Sequence, residues 1–144
     1  IAILILSILI FVGCFIRITN FLYGENWYAP GWYNNKIDNG KWMSQNATIL
    51  FFNINNEKKA TIRFVVESFN GPRNLELYVN GNFVNNYTIE NKKEIFQEII
   101  LMPRENEIKF HSKEGCEIPS LISKCDVRCL SFKIFDLDII LQEN

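Results

Sequence analysis

Between residues 75 and 110, apolar and polar positions alternate in short runs broken by turn residues, and this alternation organises the chain. Leu75, Leu77 and Val79 share one face of a run while Glu76 and Tyr78 share the other, the period of a half-buried β-strand. Asn80-Gly81 follows at once, and a two-residue type I′ turn needs positive φ at both positions, which Asn and Gly accept. The spacing predicts a hairpin, then antiparallel strands over 93–101 (Ile95, Ile99 and Leu101 inward) and 106–111 (Ile108 and Phe110 inward). Upstream, 47–54 is apolar on both faces and reads as a central strand. The run 60–69 alternates, with Ile62, Phe64 and Val66 inward, until Gly71-Pro72 breaks it. The last run, 130–141, changes phase: Leu130, Phe132 and Ile134 lie on one face, Phe135, Leu137, Ile139 and Leu141 on the other. Such a slip needs a β-bulge near Ile134 and Phe135, or a strand that passes from one sheet to the other. At least six strands with no amphipathic helix predict an all-β fold, an antiparallel two-sheet sandwich of jelly-roll type.

The start of the chain breaks the alternation. Residues 1–16 form an apolar run whose small or weakly polar members are Ser7, Gly13 and Cys14, and which ends at Arg17. A bilayer core takes about 20 apolar residues as helix, and the run resumes through Phe21, Leu22 and Tyr23. Residues 1–23 are therefore expected to be a transmembrane helix with its start upstream. A signal-peptide core would be followed by a small-residue cleavage site, and a lipidated Cys14 by a polar tether. Neither follows here. The expected division is that helix, an aromatic-rich juxtamembrane segment over 24–46, and the sandwich over 47–144. Asn46-Ala47-Thr48 and Asn86-Tyr87-Thr88 are N-glycosylation acceptors, and Cys116, Cys125 and Cys129 cluster without zinc spacing. Together they place the sandwich on the extracytoplasmic side of the cell membrane, with Arg17 beside the helix a small vote the other way. If the hairpin kept its register to residue 86, Asn86 would face inward with Leu75 and Leu77, so Asn46 is the better expected acceptor. Cys116 and Cys129 bracket the loop before the last strand and are the expected disulfide, with Cys116 to Cys125 the alternative.

The composition, 48% hydrophobic and 22% charged over 144 residues, is that of one globular domain. A net charge of -1 with no long run of either sign gives no footprint for a nucleic-acid backbone, which excludes nucleic acid as a partner. His111 is the single histidine, so neither a Ser/His/Asp triad with a second base nor a multi-His metal site is available. Asp136-Leu137-Asp138 lies inside an alternating strand, where both acids read as solvent-facing and not as a nucleotide-sugar metal site. No catalytic residue, metal or cofactor is expected in this chain. The three tryptophans fall in one stretch. Trp27 with Tyr28 suits a membrane interface, and Trp42 suits the core. At Trp32 and Tyr33 the sharp alternative to packing is a stacking platform for pyranose rings.

The pattern Leu75-x-Leu77-x-Val79-Asn80-Gly81-x-x-Val84, a later strand, a turn ending in Asn106 and then Ile108-x-Phe110 is similar to the jelly-roll sandwiches of galactose-binding-like and carbohydrate-binding modules. Gly31-Trp32-Tyr33, Trp42-Met43, Ser68-Phe69 with Pro72-Arg73, Gly115-Cys116 with Pro119, and Arg128-Cys129-Leu130-Ser131-Phe132, all after an apolar run, resemble a particular family. It is the C-terminal extracytoplasmic domain of archaeal multi-spanning membrane proteins related to dolichyl-phosphate-mannose protein mannosyltransferases. In such relatives an Arg often precedes the Trp that Trp42 matches, and Lys41 stands there in this chain. The resemblance implies a non-catalytic accessory sandwich on a membrane glycosyltransferase, contacting carbohydrate or lipid-linked sugar. The candidate ligand-binding residues are Trp32, Tyr33, Trp42 and Arg73, and the expected partners are the membrane and the rest of the parent protein. The alternative is a purely structural, membrane-anchored cell-surface domain.

Overall fold

A computed structural model describes residues 17–18, 22–28, 32–33, 36–37, 40–119 and 128–142. Its strands are β1 (Arg17–Ile18), β2 (Leu22–Tyr23), β3 (Trp32–Tyr33), β4 (Lys36–Ile37), β5 (Lys41–Met43) and β6 (Asn46–Asn53). They continue with β7 (Lys58–Ser68), β8 (Arg73–Val79), β9 (Asn82–Ile89), β10 (Lys92–Leu101), β11 (Arg104–Ser112) and β12 (Phe132–Leu141). One five-stranded sheet has the order β1-β12-β7-β10, with β5 also on β12; the other runs β2-β6-β11-β8-β9. Every pairing is antiparallel, and β3 and β4 form a separate small hairpin. The all-β class and the two antiparallel sheets agree with the alternation.

The buried face of each long strand is the one the pattern marks. Ala60, Ile62, Phe64 and Val66 of β7 meet Leu75, Leu77 and Val79 of β8 and Ile108 and Phe110 of β11 in one core. Phe64 and Phe110 touch edge to face across the two sheets, with ring centroids 5.3 Å apart. In the hairpin, Asn80 has φ 50° and Gly81 φ 81°, the two positive angles a type I′ turn requires. The phase change in β12 is a bulge. Its pairing with β7 slips between Phe135 and Asp138, Asp136 takes φ 48°, and the strand stays in one sheet throughout. The slip lies just beyond the expected Ile134 to Phe135 step and lets Ile134 and Ile139 both face the core.

Two expectations change. The apolar run 1–16 lies outside the described residues, but Arg17–Ile18 and Leu22–Tyr23, which hydropathy assigns to the end of a helix, are edge strands. They pair with Ile140 and Ile139 of β12 and with Leu50 and Ile49 of β6. The sheets therefore recruit residues well before 47, since the backbone N–H and C=O groups of a short extended segment satisfy an open sheet edge. Among the described residues no helix is long and apolar enough to cross a membrane. The second change is in β9. The hairpin register slips between Leu77 and Tyr78, so that Val84 is the extra residue and Asn86 stands opposite Glu76 and not Leu75.

Candidate functional site

Of the expected ligand residues, Trp42 and Arg73 are described with their side chains. The backbone of Trp32 and Tyr33 pairs with Ile37 and Lys36, and their side chains lie outside what the structure describes. Trp42 and Arg73 come to the same end of the sandwich, on either side of Phe69. Trp42 is half-buried, edge-on to Phe69 at 5.6 Å, with Lys133 Nζ 5.5 Å from its ring centroid. Burial pushes the Lys133 ammonium below the ordinary lysine value. Arg73 is 3% exposed. Its Nε donates to the Phe69 carbonyl (2.8 Å), its Nη1 to the Gly115 carbonyl (3.0 Å), and its Nη2 meets Glu117 Oε1 at 2.8 Å. A guanidinium so enclosed ties loops together and gives a ligand no approach. Beside it Cys116 and Cys129 are disulfide-bonded, with Cα atoms 5.3 Å apart; Cys14 and Cys125 lie outside the described residues. Trp27 is half-buried. Its Nε1 donates to the Thr48 carbonyl (2.7 Å), and its ring packs against Tyr23 and Phe110.

A different constellation emerges on the outer face of the second sheet, where register carries side chains from four strands into rows. One row is Asn46, His111, Glu76 and Asn86, contributed by β6, β11, β8 and β9; the next is Thr48, Lys109, Tyr78 and Phe83. Phe83 is 58% exposed and meets the Tyr78 ring at 5.6 Å, and Lys109 Nζ stands 5.5 Å from the same ring. The Tyr78 hydroxyl donates to Glu76 Oε2 (2.8 Å), which lies 4.0 Å from His111 Nε2, while His111 Nδ1 is 2.5 Å from Asn46 Oδ1. The Glu76 carboxylate, accepting that bond, raises the Tyr78 phenol above the ordinary tyrosine value. An aromatic surface beside carboxylate, amide, imidazole and ammonium groups suits a ligand with apolar ring faces and many hydroxyls. The alternation does put Glu76 and Tyr78 outward. It cannot place Asn46 and His111 beside them, because that depends on pairings between distant strands, whereas Phe83 stands opposite Tyr78 across the local Asn80-Gly81 hairpin. Among the described residues no three of His, Cys, Asp and Glu gather to hold a metal ion, and Asp138 stands opposite Arg63.

The bulge at Val84 also changes the glycosylation argument. Asn86 is exposed on the outer face, whereas Asn46 is half-buried with its amide oxygen held by His111. The premise that favoured Asn46, an inward Asn86, does not hold. In a glycosylating host, peptide mass spectrometry is expected to find more sugar on Asn86 than on Asn46. Sugar on Asn46 alone would contradict this.

No family model and no curated protein matches the chain. Solved structures do match, and the fold they share with these two sheets is an antiparallel β-sandwich. A family 35 carbohydrate-binding module from an environmental isolate is 12% identical, with 90% of this chain covering 93% of that one at a TM-score of 0.52. The C-terminal CBM6 of LamC, a marine laminarinase from Zobellia galactanivorans, is 9% identical, with 89% and 99% covered and a TM-score of 0.51. The GH26-CBM35 β-(1,4)-mannanase of Podospora anserina matches 70% of the chain at 10% identity and a TM-score of 0.51, and the chain spans 20% of that enzyme's length. At such identities the likeness is one of fold.

Proposed function

We propose that this domain is a non-catalytic carbohydrate-binding module whose ligand lies across the Tyr78–Phe83 face, displayed on the extracytoplasmic side of a membrane. The observation that carries the reading is the exposed Phe83 ring against the half-buried Tyr78, beside Glu76, which accepts from the Tyr78 hydroxyl, and the bonded pair Asn46 and His111. The sandwich likeness supports it, and the Cys116–Cys129 bond fits an oxidising compartment. The membrane address rests on the 1–16 run, and a membrane glycosyltransferase-like parent rests on the sequence resemblance. In that setting the domain holds an acceptor or lipid-linked sugar and performs no chemistry itself. The second reading, a purely structural surface domain, draws on the fact that the polar groups of the row already bond one another.

A titration with mannose-type and hexosamine-type oligosaccharides, read by NMR, separates the two. The chain is used at full length, because β1 and β2 belong to the sheets, and from a host without N-glycosylation. Ring signals of Tyr78 and Phe83 are expected to shift at high micromolar to millimolar sugar. Each ring stacked on a sugar is worth on the order of 1 kcal/mol, so Phe83→Ala and Tyr78→Ala should each weaken binding about fivefold while Tyr78→Phe weakens it less. Absence of any shift up to millimolar sugar leaves the structural reading.

A further inference from the structure

One end of the sandwich gathers four exposed apolar side chains, Phe52, Ile54, Ile100 and Met102. Ile54 is 78% exposed in the loop after β6, and Met102 is 46% exposed in the turn after β10. Asn53 joins these two connections, its Nδ2 donating to the carbonyls of Asn56 (3.2 Å) and Met102 (3.1 Å). Phe52 (60% exposed) and Ile100 (52% exposed) flank them on the two outer sheet faces, opposite Glu105 and Lys59. The buried Asn106 side chain fixes the turn by accepting from the Met102 N–H (2.9 Å) and donating to the Met102 and Arg104 carbonyls. These apolar tips are therefore held outward by a built scaffold.

The register of β1 says what lies beyond this end. Arg17 pairs with Ile140, Ile140 pairs with Thr61, and the Gln142 N–H donates to the Lys59 carbonyl at 3.0 Å. Because β1 is antiparallel to β12, β1 read from Ile18 to Arg17 runs in the direction of Gln142, the end that carries Ile54 and Met102. What is attached there is the apolar sequence 1–16. Trp42, Phe69 and the disulfide lie at the far end of β12 and β7, since Met43 pairs with Phe132 and Phe132 with Ser68.

We propose that this end rests in the headgroup layer of a lipid bilayer, with Ile54 and Met102 inserted and Phe52 and Ile100 at its rim. The inference rests on the membrane address given above and adds which end of the domain meets the lipid. Lys58, Lys59 and Arg104 share the rim with Glu57, Glu98 and Glu105, so apolar insertion and not net charge carries the contact, and zwitterionic lipid suffices. The opposite end, with the outer-face rows leading toward it, then projects away from the membrane.

The test places the chain at full length in phosphatidylcholine nanodiscs that carry a gadolinium chelate on a fraction of the headgroups, and reads methyl signals by NMR. Ile54 and Met102 are expected to lose more than half their intensity, and Ile118, which is 54% exposed near the disulfide, to keep nearly all of its own. Ile54→Gln with Met102→Gln is expected to restore at least twofold the signal of Ile100. Equal broadening of Ile54 and Ile118, or broadening of Ile118 alone, overturns the orientation while leaving the membrane address intact. A chain that elutes free of nanodiscs overturns both. Unbroadened Ile54 in a chain that sediments as a dimer assigns the apolar end to a second copy and likewise overturns the proposal.

Discussion

Phe110→Ala is expected to lower the unfolding free energy by about 3–5 kcal/mol, the range for removing a fully enclosed aromatic ring. Phe110 is fully buried, lies between Ala47 and Leu77 of the neighbouring strands, and meets the rings of Phe64 at 5.3 Å and Trp27 at 5.9 Å. It is thus a side chain of the second sheet that touches both the first sheet and the segment before β5. The cavity cannot collapse easily, because Phe64 is itself fixed on the long ladder between β7 and its two neighbours. Phe110→Leu retains most of the volume and should cost less than about 1.5 kcal/mol beyond the lost ring contacts. Urea unfolding followed by tryptophan fluorescence reads both values. A loss below about 1 kcal/mol for the alanine variant would show that the two sheets are not joined at this point.

The second large effect is expected from the disulfide. Cys116 and Cys129 are separated by 13 residues, and in the chain-entropy model closing such a loop stabilises by about 3 kcal/mol. Cys116→Ala with Cys129→Ala should therefore lower the melting temperature by on the order of 10 °C. The same end carries the Arg73 clamp, whose Nη1 donates to the carbonyl of Gly115, the residue beside Cys116. The two ties share one loop, so the effect of adding Arg73→Met to the double cysteine variant should be less than additive. Thermal scans with and without reductant check the first expectation. A midpoint that is unmoved by reductant, in a chain whose bond is shown intact by mass spectrometry, would contradict it.

The alternation made most of the sandwich legible, because inward positions two residues apart leave few choices once both sheets must bury a face. It marked Ile62, Phe64 and Val66, and Leu75, Leu77 and Val79, all of which are buried. It also required either a bulge or a change of sheet in the last strand, and the bulge is what the strand contains. The bulge at Val84 had no such sign, since a half-buried Val among Asn residues fits either face. That single insertion decides where Asn86 points. The rows on the outer face were illegible for a related reason: Asn46 and His111 are far apart in the chain, and only register makes them neighbours. Arg73 misled in the opposite way. The resemblance put it among the ligand residues, and its burial follows from carbonyls of Phe69 and Gly115 that no pattern of side chains reveals.

The position of β12 sets an order of assembly. The second sheet is complete in the chain by Ser112, whereas the first cannot close until Phe132–Leu141 has been made, because β1, β5 and β7 all pair with that strand. During synthesis the ladder between β7 and β10 can form early, yet the other edge of β7 stays open until the last strand arrives. A nascent chain therefore passes through a state with one finished sheet and one half-finished sheet. The two N-terminal strands of the first sheet, made earliest, are among the last to find their partner.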